Sequence, residues 1–321
     1  MIHNSNNIKE IKIVIAGLDN AGKTSFLIAL RQKYNFYETV KSLKPTIKID
    51  YSSFDFLNRW TINFWDMGGQ RKYREIYVNN PIYFTDTNYL YYFVDIQDEI
   101  KIEESINYLQ DLIKIYRDMK YDNEILICFH KYDPKFKENK DFKNRVEMIK
   151  NLILNQNKDM KFQFFETTYY DISSLSKAIS YSLNKLLNLE LINKKTEKIV
   201  KDYGCNYAIL YTNTGLIISD YYSESYEIMD SKNFEESISD KINDNLEFFQ
   251  KLSDNQVNID ERLSLVKDNI EYVKKIKVEM EKGTIQFYLG VSVPIKKIEK
   301  IKTEVDSFKN DLKSSFKWFY S

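Results

Sequence analysis

Proline and glycine are scarce in this 321-residue chain, at 4 and 8 residues. That scarcity excludes collagen-like and Pro/Gly-rich low-complexity chains, and it makes any glycine cluster conspicuous. Cysteine is scarcer still: Cys128 and Cys205 lie far apart and neither belongs to a Cys-x-x-Cys pair, which argues against a disulfide framework or a zinc site and fits a reducing compartment. Excess charge of one sign is also missing, since Lys+Arg and Asp+Glu both number 47, so no net field draws the chain toward nucleic acid or an anionic bilayer. No stretch is apolar for the length a bilayer span requires. Met1-Ile2-His3-Asn4 carries no apolar signal core, residue 2 is not glycine, and Phe319-Tyr320-Ser321 offers no prenylatable cysteine. The expectations are therefore no nucleic-acid partner, no intrinsic membrane anchor and a cytoplasmic location, with any peripheral membrane contact made through a partner.

What is present is an ordinary globular composition, 43% hydrophobic and 29% charged, in a chain long enough for two domains that each bury a core. One stretch organises the first: Gly17-Leu18-Asp19-Asn20-Ala21-Gly22-Lys23-Thr24-Ser25 contains Gly-x-x-x-x-Gly-Lys-Ser/Thr. It follows the β-branched run 11–16 and precedes a helical pattern over 23–34, the strand-to-helix context this motif requires. Glycines at 17 and 22 let successive backbone N–H groups turn inward onto phosphate oxygens, at the positive end of the following helix. Lys23 would reach the β- and γ-phosphates, and the Thr24 hydroxyl would ligate Mg2+.

Further along, strands alternate with helices. Strand-like runs at 47–56 and 61–65 are joined through Leu57-Asn58-Arg59, and others lie at 89–94, 125–129 and 162–165. Helical patterns fall at 103–116, in a polar segment after Pro134 and at 174–189. This order predicts an α/β fold, a mostly parallel sheet with helices on both faces and a hairpin-linked edge strand. Each suspected motif follows a strand, where such folds bind ligands. Asp66-Met67-Gly68-Gly69-Gln70 offers a carboxylate for Mg2+, a Gly69 N–H for a γ-phosphate oxygen and Gln70 to orient the attacking water. Thr46, after Pro45 at the end of a polar loop over 36–44, supplies a second Mg2+ hydroxyl when that loop closes on a triphosphate. His130-Lys131-Tyr132-Asp133 ends another strand. The Asp133 carboxylate can accept both N1–H and the 2-amino group of guanine, donors that adenine lacks, while the Lys131 stem covers the ring. Thr168 and Tyr169 bring the last loop to the base. The mixed charges over 131–145 read as a solvated helix face.

These residues carry a resemblance. Residues 17–25, Pro45-Thr46 and Trp65-Asp66-Met67-Gly68-Gly69-Gln70 resemble small GTPases of the Arf family, and His130-Lys131-x-Asp133 is similar to the Rag/Gtr branch, where His replaces the usual Asn. The resemblance covers roughly residues 8–189 and implies a guanine-nucleotide switch: GTP or GDP bound with Mg2+ and slow, activator-dependent hydrolysis. In most such proteins the Asn ties the base loop to the phosphate loop; His130 is expected to keep one such bond through a ring nitrogen.

After a connecting helix over 193–201 and Gly204, the pattern changes to ββαβββα, an α+β domain with one antiparallel sheet that resembles a roadblock or longin module. Expected boundaries are 1–192 for the G domain and 193–321 for this second domain. It carries no obvious chemistry, so it is expected to serve as a platform for regulators, effectors or a homo- or heterodimer. On residues alone, a P-loop kinase or ATPase, or a GTP-locked scaffold that does not turn over, are the alternatives.

Overall fold

The computed structural model describes residues 9–32, 43–56, 60–136, 139–170, 172–187, 189–213, 217–229, 234–280 and 283–317. The hairpin connection Leu57-Asn58-Arg59, most of the expected loop over 36–44, and most of the turns at 213–215 and 281–283 lie outside these residues, as do both chain ends. The chain divides into two compact units, Met1–Ala178 and Ile179–Ser321.

In the first unit, β1 (Lys9–Gly17), β2 (Ile49–Phe56), β3 (Trp60–Met67), β4 (Tyr89–Asp95), β5 (Ile125–His130) and β6 (Phe162–Thr167) form one sheet in the order β2-β3-β1-β4-β5-β6. Of the pairs in this sheet only β2–β3 is antiparallel, which makes β2 the expected hairpin-linked edge. β4 and β5 are buried almost throughout, and their near-continuous apolar runs are what a parallel strand covered on both faces requires. The helices are α1 (Lys23–Gln32), α2 (Arg71–Val78), α3 (Ile102–Asp118), α4 (Lys140–Gln156) and α5 (Ile172–Leu187). Along α3, Ile106, Leu109, Leu112, Ile113 and Tyr116 recur at helical spacing and pack into the core against Tyr92 and Val94 of β4. The division between the units falls inside α5, ahead of residue 192.

In the second unit, α6 (Glu190–Tyr203) ends at Gly204, whose φ of 61° supplies the left-handed cap. There follow β7 (Tyr207–Thr212), β8 (Ile217–Tyr222), the short α7 (Glu224–Met229), α8 (Phe234–Asp254), β9 (Glu261–Val266), β10 (Asn269–Met280), β11 (Gly283–Pro294) and α9 (Ile298–Lys317). The five strands make an antiparallel sheet in the order β8-β7-β11-β10-β9. Ile238, Ile242 and Phe249 of α8 cluster with Tyr207, Ile209 and Tyr211 on one face. The α6 hydroxyl of Thr196 meets Ser219 at 2.7 Å; Ser219 pairs with Leu210, which by strand alternation points to the opposite face. There α6 also meets α9, through Lys195–Asp311 at 2.9 Å and Tyr203–Glu304 at 3.1 Å. α6 is thus built into this unit, with Ile192, Ile199 and Val200 buried, and is more than the connector its sequence indicated.

Candidate functional site

The C-terminal ends of β1, β3, β5 and β6 open on one cleft of about 650 Å3. Its lining includes Asp19, Asn20, Gly22, Lys23, Thr24 and Ser25 from the turn between β1 and α1, Thr46, Gly69 and Gln70 from the segments flanking β2 and β3, and His130, Lys131, Asp133 and Tyr169 from the loops after β5 and β6. Ala21, Asp66 and Thr168 stand behind this wall, each fully or almost fully buried, and the last two hydrogen-bond to residues that line it.

At one end of the cleft the chain turns with Gly22 at φ +87°, and a Cβ there would come within 2.2 Å of the His130 ring, so only glycine fits. Lys23 is buried, and its ammonium donates to the carbonyls of Gly17 (3.1 Å) and Leu18 (2.7 Å). Burial lowers its pKa to about 8, against the opposing pull of Asp66 and Asp19. Thr24 Oγ1 lies 2.5 Å from Asp66 Oδ2 and 2.9 Å from Thr46 Oγ1. Burial raises the Asp66 pKa, with Lys23 and Thr24 working against it, and the second carboxylate oxygen, Oδ1, is buried without a hydrogen-bond partner. Two hydroxyls and a carboxylate with an orphaned oxygen are hard oxygen donors, the set that suits Mg2+. The residues present therefore fit that ion.

The loop after β3 lies directly on the turn between β1 and α1. Gly68 N–H donates to Lys48 O at 2.7 Å, and Gly69 packs against the backbone of Leu18 and Asp19. Gln70, in extended backbone, immediately precedes α2 and is half-buried at the cleft wall. Behind the loop, the buried Arg74 donates Nε–H to Gly69 O at 2.9 Å, pairs with Glu104 of α3, and lies 5.1 Å above the Tyr108 ring. Lys101 faces Asp19 at 3.3 Å.

At the far end Asp133 is buried, with Thr168 Oγ1 donating to Oδ1 at 2.7 Å and Gln97 Nε2 donating to Oδ2 at 2.8 Å. Lys131, at φ +63°, pairs with Asp95 at 2.6 Å. His130 departs from expectation. Its Nδ1 bonds Thr167 Oγ1 at 3.0 Å, while Nε2 is buried against Gly22 without a hydrogen bond, so the ring reaches the turn between β1 and α1 by packing alone. Burial holds it neutral, its pKa lowered to about 3. The Thr168 backbone N–H is committed to Ser174 Oγ at 3.1 Å, so this residue meets the site through its hydroxyl.

Sequence reasoning missed Asp95, Gln97, Arg74 and Lys101. Asp95 ends β4 and Gln97 lies two residues beyond it, at the same sheet edge as the motifs, with Asp95 in register with His130. That position was the available signal. Among the described residues no cluster of three His, Cys, Asp or Glu side chains could hold a metal, and no helix is long and apolar enough to cross a membrane.

The chain matches the family model described as the Gtr1/RagA G protein conserved region over residues 12–242. Ras-related GTP-binding protein A of Dictyostelium discoideum is 28% identical over 214 residues, 65% of this chain and 69% of that protein. ADP-ribosylation factor-like protein 3 of Saccharomyces cerevisiae is 28% identical over 114 residues, 35% of this chain, and the chain spans only 56% of that relative's length. Among solved structures, the Arl6 (BBS3) small GTPase of Trypanosoma brucei with bound nucleotide analogue GppNp aligns with a TM-score of 0.45 at 18% identity, over 55% of this chain and 97% of that one. With the family model spanning well over half of its residues, the chain belongs to the Gtr1/RagA family of G proteins.

Proposed function

We propose that the cleft between residues 17–25, 66–70, 130–133 and 168–169 is where this chain holds GTP or GDP, and that nucleotide state is read through Thr46 and Gly69. The observation that carries this reading is a single cleft with Lys23 and the Thr24–Thr46–Asp66 cluster at one end and the clamped Asp133 carboxylate at the other. Bound there by Thr24, Thr46 and Asp66, Mg2+ supplies charge neutralisation for the β- and γ-phosphates. Lys23 adds a buried positive charge on the same phosphates, the Gly69 N–H meets the γ-phosphate, and Gln70 orients water for attack. Asp133 accepts from N1 and the 2-amino group of guanine. Arg74 is engaged with Gly69 and Glu104, and no arginine is among the described residues that line the cleft, which supports slow intrinsic turnover and an activator that brings its own. A P-loop kinase or ATPase, and a GTP-locked scaffold, are not favoured.

In single-turnover assays, Gln70→Leu is expected to slow GTP hydrolysis by about 10–10²-fold with GTP affinity nearly intact. Wild-type hydrolysis by the variant would remove Gln70 from the mechanism. The second expectation concerns protons. Phosphate binding favours charged Lys23 and so raises a pKa that stands at about 8 in the free protein. Near neutral pH Lys23 is protonated in both states and no linkage arises. As pH rises through 8, binding must take up a proton and affinity declines. Calorimetry at pH 9 in two buffers of different ionisation enthalpy should show uptake that Lys23→Arg abolishes; equal uptake at pH 7 and 9 would contradict this.

Rag- and Arf-type GTPases interact with regulators and effectors. For this chain, the domain after residue 192 is the proposed platform, including a homo- or heterodimer contact. The support is β9, a sheet edge carrying exposed Leu263, Leu265 and Val266. Cytoplasmic location, with membrane contact through a partner, belongs to the same proposal.

A further inference from the structure

Asp133 does not stand alone. Gln97, half-buried in the cleft wall two residues beyond the end of β4, donates from one amide nitrogen to Lys131 O (2.7 Å) and to Asp133 Oδ2 (2.8 Å). Both partners are acceptors only, so the amide nitrogen must face them and the side-chain orientation is settled by chemistry. Thr168 secures the other carboxylate oxygen from β6's side. A carboxylate held at both oxygens by donors from two different elements cannot rotate, and its remaining lone pairs keep one direction. Gln97 also supports a costly turn: Lys131 is a non-glycine residue in the left-handed region, and its carbonyl and ammonium are both anchored from the β4 end, by Gln97 and by Asp95. Asp95 in turn accepts from the Gln97 backbone N–H at 3.0 Å, so the brace is itself fixed.

We infer that Gln97 is a positioning residue for base recognition: it aims the Asp133 carboxylate, and selectivity for the 2-amino group of guanine depends on it. This rests on the reading of Asp133 as the base acceptor. The test is the affinity of the full chain for GTP and for ITP, which lacks the 2-amino group, in wild type, Gln97→Leu, Gln97→Asn and Asp133→Asn, with melting temperature recorded alongside. Wild type should prefer GTP by about 10–10²-fold, the contribution of one hydrogen bond to a charged acceptor. Gln97→Leu should weaken GTP far more than ITP and bring the ratio to within about threefold of unity, without a matching fall in melting temperature. Gln97→Asn, one methylene shorter and able to reach one acceptor, should fall between, and it carries the same readout should the Leu variant not fold. A ratio unchanged in both Gln97 variants, whether both nucleotides weaken equally or neither does, would overturn the proposal while leaving Asp133 in its role. If Asp133→Asn also left base preference unchanged, the underlying reading would fail instead.

Discussion

Replacing Gly69 with alanine is expected to lower single-turnover GTP hydrolysis by about 10²–10³-fold, the usual cost of one lost transition-state donor, while GDP affinity stays close to wild type. An added Cβ would stand 2.2 Å from the backbone nitrogen of Asp19 and 2.2 Å from the carbonyl carbon of Leu18. Neither is the end of a flexible side chain that could swing aside, so the loop must lift off the phosphate turn. Its N–H then leaves the γ-phosphate, and the bond from Arg74 to Gly69 O is strained with it. GDP has no γ-phosphate for this loop to meet, which is why its binding is spared. Comparing hydrolysis with GDP dissociation separates the two. A variant that hydrolyses GTP normally, or that loses GDP equally, would show that Gly69 does not sense the terminal phosphate.

Asp133→Asn carries the second large effect. It should weaken GTP by about 10²–10⁴-fold, from two charge-assisted hydrogen bonds at about 1.5–3 kcal/mol each, and should admit XTP. The new amide nitrogen opposes the guanine 2-amino group, donor against donor, but it matches the carbonyl that xanthine carries there. The fold should survive, because the Thr168 hydroxyl can accept as well as donate. Competition between GTP and XTP reads the result directly. An unaltered preference would mean that the base is read elsewhere, as in a kinase or ATPase indifferent to guanine.

Much of the first unit and its cleft is legible in the residues themselves, because the signals are local. The run Ile11-Lys12-Ile13-Val14-Ile15-Ala16 followed by a glycine turn fixes β1 and α1 with no help from distant residues, and β4 and β5 announce themselves as apolar runs flanked by polar turns. α2 is not visible in that way: it has eight residues and no side-chain cap, and its stability comes from Tyr73, Arg74 and Tyr77 buried against the rest of the unit. The clamp by Gln97 joins residues 34 and 36 apart in sequence, and Arg74 meets Glu104 across 30. Only the order of strands in the sheet makes them neighbours. His130 shows a different limit. Its identity is plain, but which ring nitrogen is satisfied depends on Thr167, at the end of the adjacent strand, and on how closely Gly22 approaches. In the second unit, the apolar residues of α6 give no hint of the sheet face they cover, so the helix reads as a linker.

The most direct test of the central claim is competition binding on the full chain, stripped of nucleotide and then titrated with labelled GTP against GDP and ATP, with Mg2+ present or chelated. If the cleft reads guanine through Asp133 and holds Mg2+ through Thr24, Thr46 and Asp66, GDP should displace the label, ATP should need a concentration on the order of 10³-fold higher, and chelation should weaken GTP. ATP displacing the label as readily as GDP, or GTP binding unmoved by chelation, would contradict the account.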